Sequence, residues 1–557
     1  MTWLRVSALW ANRLTWIAIG WVVVFWRLGY PSLLDPDEAH YAQLTREMLR
    51  SGSWLVPLLD GRPYIDKPVL FHWLQGTSVW LFGETEFAAR MPSALAALAL
   101  FAVVRWAGVA LVGAEAGEWG AIMFATIPAT FALSSIALFD MVFTAFLFSA
   151  VACLLVAAKE RKRRVEYAGY ALLVLATMTK GPVALVLVGL LLGGAWFAGG
   201  ELRARVSSLR WVPGLTAAAV AASPWFVWMA ARFGREFVER YVLAGNLWYF
   251  TQPAVFSERA ISHTFYVRAF AGAFFPWSAV VAGRGVDLLR RGTTGLKLGV
   301  DEKLLWLWTI VVVAFFSLAR FKLDHYIFPA APACCLIAAR AWRDAHETDR
   351  GTIGTRGSIL VMAALLIVGG SFGAVYLFDL NLELPQAAVA LPIAMLVGGI
   401  ALMTMCAHRG WRVPRTAVVP VVMLLVIYVV VVRVGYPVLE TTRPTALAGR
   451  TVRRLAAPGD IVGLYQLERW RASVRYYVGR PVARLDTEAD VRAFLEDPRR
   501  GFVILRRHDF VALRAAGVPL RQVMQRPAVV GTSGKGLRRQ VWGYLVVAVE
   551  RRPDPGP

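Results

Sequence analysis

The chain has 557 residues, 57% of them hydrophobic, and a mean hydropathy of +0.53. A soluble globular protein of this length is far less apolar, so these totals point to a polytopic membrane protein. The net charge of +23 would ordinarily suggest nucleic acid. Most basic residues, however, fall in the tail or in short loops between apolar runs, and loop cations are what the positive-inside rule demands, so no nucleic-acid partner is implied. The four cysteines, Cys153, Cys334, Cys335 and Cys406, lie in apolar runs. They show neither zinc spacing nor a disulfide framework and read as small packing residues.

Counting apolar runs of roughly 17 to 25 residues as spans gives thirteen. They fall near 14–31, 86–110, 116–134, 137–157, 166–179, 181–198, 211–231, 269–283, 303–319, 325–341, 357–378, 384–407 and 416–435. Arg5 and Arg13 precede the first run but no small-residue cleavage site follows it, so it reads as a retained helix. Segment 66–82 is apolar on one side, carries Lys67, His72 and Gln75, and reads as an interfacial helix.

With the N-terminus in the cytoplasm, the basic loops at 159–164, 201–210, 283–297, 340–356 and 408–415 fall inside. The mixed or acidic loops 32–85, 232–268, 319–324 and 379–386 fall outside. The odd number of spans then places the C-terminal tail outside as well. From this the expected fold is a polytopic α-helical membrane domain over 1–436, with large outside loops 32–85 and 232–268. A soluble α/β domain follows over 437–557. Its strand-like runs are Ile461–Tyr465, Phe502–Leu505 and Val541–Val549, with helical patterns near 468–478, 487–497 and 509–516. From Gly435 onward 22 basic residues stand against 11 acidic ones, which suits anionic lipid headgroups or simple solvation alike.

The chemistry concentrates on the outside face. The loop after the first run reads PSLLDPDEAHYAQLTREMLRSGSWLVPLLDGRPYIDKPVLFH, from Pro31 to His72. Asp35-Pro36 predicts a helix start, with Asp35 as N-cap and Glu38 in the first turn. Read chemically, Asp35, Asp37 and Glu38 are a carboxylate cluster able to act as a base, orient a sugar or hold a cation. Tyr64, Asp66, Lys67 and Pro68 follow; a lysine there either snorkels or pairs with a phosphate. Asp140 stands at the edge of an apolar run, where an ionisable residue defaults to a functional reading; Lys180, at the edge of another, either snorkels or closes on the same site. The turn Arg320–Tyr326 crowds Arg320, Lys322, Asp324, His325 and Tyr326 between two runs, an arrangement that an anionic ligand would explain. The 232–268 loop combines Arg232, Arg235, Glu239, Arg240, Asn246, Trp248, Tyr249, His263 and Arg268, as suited to an interfacial belt as to sugar and phosphate contacts.

These residues resemble a known pattern. Pro36-Asp37-Glu38 with Tyr41-Ala42, Ser51-Gly52 with Pro57, and Tyr64 with Asp66-Lys67-Pro68 are similar to the first outside loop of bacterial membrane glycosyltransferases related to protein O-mannosyltransferases. The nearest pattern is that of the lipid A aminoarabinose transferases. Leu138-Phe139-Asp140, Thr179-Lys180-Gly181 and the SLARFKLDHY run at 317–326 fit the same family, over roughly the first 340 residues.

The resemblance implies a C-type glycosyltransferase fold (GT-C) and a sugar donor carried on undecaprenyl phosphate. It further implies a lipid A acceptor among the membrane lipids and a site at the periplasmic face of the inner membrane. Asp37 becomes the central acidic residue, with Glu38 beside it and Asp140 nearby. Lys67 belongs to the donor-phosphate site, with Tyr64, Lys322, Tyr326, Arg268 and Arg320 as further candidates. Asp66, Asp140 and His263 are the residues that would hold a divalent ion, although no ligand spacing demands one. No P-loop or G-x-G-x-x-G is present, in keeping with a donor that needs no nucleotide site. Two alternatives stay open: transfer to protein hydroxyls or another envelope glycan, and a lipid-linked sugar transporter, which predicts ionisable groups deep in spans and paired repeats.

Overall fold

The computed structural model describes residues 15–26, 28–251, 264–296, 298–347, 352–379, 386–407, 413–467, 471–533 and 539–550. They group into two compact units. The first comprises Met1–Leu28, Ile65–Leu74 and Arg90–Val431, and the second Gly29–Tyr64, Gln75–Ala89 and Val432–Pro557.

The first unit is helical. Its count corrects the thirteen expected spans: among the described residues six helices are long and apolar enough to cross a membrane. They are Glu86–Val112, Phe139–Glu160, Trp211–Phe233, Ile353–Val375, Ala387–Cys406 and Thr416–Thr442. A seventh arises if Phe265–Ala273 and Trp277–Gly295, bent by 119°, form one span. The other apolar runs are interrupted, short or charged. Run 116–134 is cut into Ala114–Thr126 and Pro128–Ser134, because Pro128 cannot continue the preceding helix. Arg163–Lys180 carries Arg163, Arg164, Glu166 and Lys180, and Val300–Leu318 opens on Asp301, Glu302 and Lys303. Val183–Phe197 has 15 residues, about 22 Å of helix, short of a hydrocarbon core about 30 Å thick. Run 325–341 begins as a 3-10 helix, Asp324–Ala330, before Ala331–Glu347. The odd parity drawn from thirteen crossings loses its basis with that count.

Phe139–Glu160 is the centre of this unit, with 89% of its apolar window buried in protein, against 22% for Trp211–Phe233. It turns back through Arg161, which is left-handed at φ 55°, into Arg163–Lys180. The two helices run antiparallel, so Asp140 at the start of one meets Lys180 at the end of the other. A buried ionic cluster ties the later helices together. Arg284, 1% exposed, forks onto Glu302 at 3.0 and 3.1 Å and reaches Asp344 at 2.8 Å. Asp287 accepts the Gly354 and Thr355 N–H groups at 2.6 and 2.8 Å, holding the first turn of Ile353–Asp379. Two residues of the basic 283–297 loop thus stand inside a helix, Trp277–Gly295.

The second unit is built on a five-stranded sheet ordered Ala483–Leu485, Ile461–Tyr465, Gly501–Arg506, Arg539–Glu550, Leu520–Ser533. The first three strands are parallel and the last two antiparallel. Successive side chains of Gly501–Arg506 alternate between two cores, as period two requires. Phe502 and Ile504 pack with Val452, Val474 and Val478, whereas Val503 and Leu505 pack with Val491, Leu495 and Phe510. Helices therefore cover both faces, the usual solution for parallel strands. Helix Asp37–Ser51 belongs to this unit and packs against Arg471–Val478.

Candidate functional site

In the first unit, Asp66 and Lys67 occupy the turn before helix Leu70–Phe82, kept out of the helix by Pro68. Lys67 Nζ lies 2.9 Å from Asp66 Oδ1. Asp140, in the first turn of its helix, suits the positive end of the helix dipole; Lys180, in the last turn of its own, suits the negative end. Their charges meet at 2.5 Å, with Asp140 9% and Lys180 12% exposed. His325 Nε2 stands 3.6 Å from the other Asp140 oxygen. Lys180 also lies 4.6 Å over the Tyr326 ring, a cation–π contact.

Asp66, Lys67, Lys180 and Tyr326 line one cavity of about 280 Å³. Val183, Val186, Val242, Phe315, Phe316 and Phe321 supply an apolar wall. Tyr241 and Asn246 complete the polar lining. Tyr241 is 3% exposed, and Asn246 is the side chain that reaches its hydroxyl. Burial, helped by the Asp66 carboxylate, pushes this phenol well above its ordinary pKa, so it stays a proton donor. Room for it depends on Gly181. That residue has φ +92°, and a Cβ there would collide with the Tyr241 hydroxyl.

The other candidates are placed elsewhere. Arg268 is exposed and lines a wider hollow of about 650 Å³ with Asp324 and Phe265. Arg320 is exposed in its turn. Lys322 donates to the Ala319 carbonyl, and burial holds its amine below the ordinary value. His263 lies outside the described residues. No group of three or more His, Cys, Asp or Glu side chains that could hold a metal ion occurs among the described residues.

Asp37, Glu38 and Tyr64 belong to the second unit. Asp37 is exposed as the first residue of its helix. Glu38 is 1% exposed and accepts the Leu34 N–H at 2.9 Å. Tyr64 packs edge-on against His40, with ring centroids 4.8 Å apart. Asp35 does not cap its own helix, which shows no side-chain cap. Its carboxylate instead accepts the Ser473 N–H at 2.8 Å, together with the Ser473 hydroxyl.

Sequence reasoning passed over Tyr241 and left Lys180 between snorkelling and closing on the site. Tyr241 sits in no motif. Its π-helical setting, Val238–Leu247, is a conformation common at functional sites, but it cannot be read from residue order.

A family profile described as dolichyl-phosphate-mannose-protein mannosyltransferase matches residues 66–228. Undecaprenyl phosphate-alpha-4-amino-4-deoxy-L-arabinose arabinosyl transferases are similar in sequence. That of Erwinia tasmaniensis is 26% identical over 62% of this chain and 63% of its own length. One from Sodalis glossinidius is 28% identical over 63% of this chain and 64% of its own. The chain thus spans just under two thirds of these curated relatives. Among solved structures, ArnT from Cupriavidus metallidurans bound to undecaprenyl phosphate superposes with a TM-score of 0.71 at 20% identity, covering 96% of this chain and 97% of ArnT. The chain has the fold of ArnT and is similar in sequence to the arabinosyl transferases. The archaeal oligosaccharyltransferase AglB from Archaeoglobus fulgidus, solved with an inhibitory peptide and a dolichol-phosphate, is more distant. Its TM-score is 0.51 at 12% identity, over 96% of this chain and 74% of AglB.

Proposed function

We propose that the chain is a multi-pass enzyme of the bacterial inner membrane that transfers a sugar from undecaprenyl phosphate to a lipid A phosphate. The sugar is 4-amino-4-deoxy-L-arabinose and the site faces the periplasm. In this reading residues 1–436 form the transferase body, and residues 437–557 form a periplasmic domain. The observation that carries it is the cavity of the first unit, where two lysines meet an apolar wall. That combination suits an amphipathic ligand with an anionic head and a hydrocarbon tail. The likeness to transferases that use undecaprenyl phosphate supports the same donor.

The chemistry is a displacement at the anomeric carbon with inversion. The acceptor oxygen forms the new bond, and the bond to the polyprenyl phosphate breaks with its electron pair going to that phosphate. Lys67 and Lys180, with the Tyr326 and Tyr241 hydroxyls, stabilise the departing anion in a poorly hydrated site. Asp140 orients Lys180. An acceptor phosphate is already ionised at neutral pH, so Asp37 orients it or pairs with the amine of the sugar. An acceptor hydroxyl makes Asp37 a general base, and the mannosyltransferase profile favours that second reading for a protein acceptor.

The test is mass spectrometry of lipid A from cells that make the donor, with wild-type chain or Asp37→Ala. A pentosamine-sized addition that is lost in the variant is expected. Unmodified lipid A with the wild-type chain rejects the lipid A acceptor; an addition that survives Asp37→Ala rejects the role of Asp37.

A further inference from the structure

The second unit ties the stretch leading into Asp37 at Ser32, Leu33 and Asp35. Ser32 N–H donates to Glu440 at 2.9 Å. Leu33 N–H donates to the Tyr477 hydroxyl at 2.7 Å, and that hydroxyl donates to Glu86 at 3.0 Å. Asp35 takes the Ser473 N–H and hydroxyl. Further along, Arg46, 3% exposed, donates to the Tyr476 carbonyl at 2.5 Å, lies 3.8 Å over the Tyr476 ring and pairs with Glu84 at 2.9 Å. Arg475 reaches Asp60 at 2.7 Å.

The partners on the far side cluster on one short helix. Ser473, Arg475, Tyr476 and Tyr477 fall within Arg471–Val478 and are each at most 5% exposed. This is far more polar fixation than a solvated surface loop needs. Buried bonds of this kind specify one geometry, since leaving any of their groups unpaired is costly. Asp37 itself stands exposed at the end of this tethered stretch, two residues beyond Asp35.

We infer that helix Arg471–Val478 is a positioning device for Asp37, with Ser473 and Tyr477 acting through Asp35 and Leu33. The C-terminal α/β part therefore contributes to the rate of transfer without touching substrate. The inference rests on the role given to Asp37 above. It separates Asp35 from the acid–base chemistry that its carboxylate invites: Asp35 works as a hydrogen-bond acceptor, and its charge is dispensable.

The experiment uses the full chain in detergent or nanodiscs. Asp35→Ala, Asp35→Asn, Tyr477→Phe and Asp37→Ala are compared for kcat, for KM of the donor and for hydrogen exchange over residues 32–40. Asp35→Ala and Tyr477→Phe are expected to lower kcat about 10-fold or more, as small misplacements do, with donor KM within about 3-fold. Exchange over 32–40 rises in both. Asp35→Asn, which still accepts the Ser473 N–H, restores kcat to within about 3-fold of wild type. Arg492→Ala, at an exposed position of helix Glu488–Leu495, serves as the neutral control. Wild-type kcat in Asp35→Ala and Tyr477→Phe overturns the inference, and so does a dead Asp35→Asn. Transfer by Asp37→Ala overturns instead the reading on which it rests, whatever the Asp35 variants do.

Discussion

Asp140 and Lys180 are forty residues apart in the chain and 2.5 Å apart in the fold, at the open end of an antiparallel helix pair. Both are nearly buried, so removing one partner strands the other charge. Lys180→Met is expected to destabilise the membrane body by about 3–5 kcal/mol and to abolish transfer. Combining it with Asp140→Asn recovers part of the stability but none of the activity. Thermal inactivation in detergent, read for both singles and the double, checks the pair.

Tyr241 lines the cavity with a buried hydroxyl. Given the proposed donor, Tyr241→Phe weakens undecaprenyl phosphate binding about 10-fold or more, the scale of a hydrogen bond to a charged acceptor. Gly181→Ala is worse, because it adds a steric conflict to a backbone at φ +92°. Titration of the purified chain with undecaprenyl phosphate measures both.

Arg284 is buried away from the cavity lining and holds Glu302 and Asp344. Arg284→Met strips the buried Glu302 of its guanidinium fork and leaves Asp344 with Arg340 at 3.1 Å, and is expected to cost about 3–5 kcal/mol. The surviving folded fraction keeps wild-type kcat. A lowered kcat in molecules that remain folded contradicts a purely structural role.

Asp460 shows the pH arithmetic. Burial alone would raise its carboxyl, but two Arg500 N–H groups at 2.9 and 2.6 Å and the Ala457 N–H at 2.8 Å hold it below its ordinary value. A depressed carboxyl stabilises the fold above its unfolded pKa, near 4, and loses that contribution as pH falls through the folded value. Asp460→Asn should therefore destabilise strand Ile461–Tyr465 at pH 7, by about 1 kcal/mol given solvent screening, with the difference fading as pH falls through the folded value. Native-state hydrogen exchange on that strand reads the difference.

What the sequence disclosed follows from what local order can encode. Six of the apolar runs form full-length helices, and Ile461–Tyr465 is a strand with the same limits in structure as in sequence. Hydropathy cannot see the break at Pro128 or the 119° bend before Trp277, so it over-counted crossings. Arg284 read as a loop cation, because Glu302 and Asp344 are 18 and 60 residues away. Asp35 read as a local cap, because Ser473 lies 438 residues on. Asp66 and Lys67 were conspicuous by adjacency. Tyr241 was not, since its burial and its place in the cavity wall exist only after folding.

The two lysines of the cavity each arrive with a carboxylate of their own, Asp66 for Lys67 and Asp140 for Lys180. These four charges sum to zero. An anion entering the cavity does not meet naked cations; it must compete with a covalently tethered rival at both lysines. Chloride or stray inorganic phosphate gains little from such an exchange. A ligand that adds tens of apolar contacts along the valine and phenylalanine wall gains enough to displace them. The resting site is thus guarded by its own counterions, and its selectivity is set by the hydrocarbon tail as much as by the charge of the head.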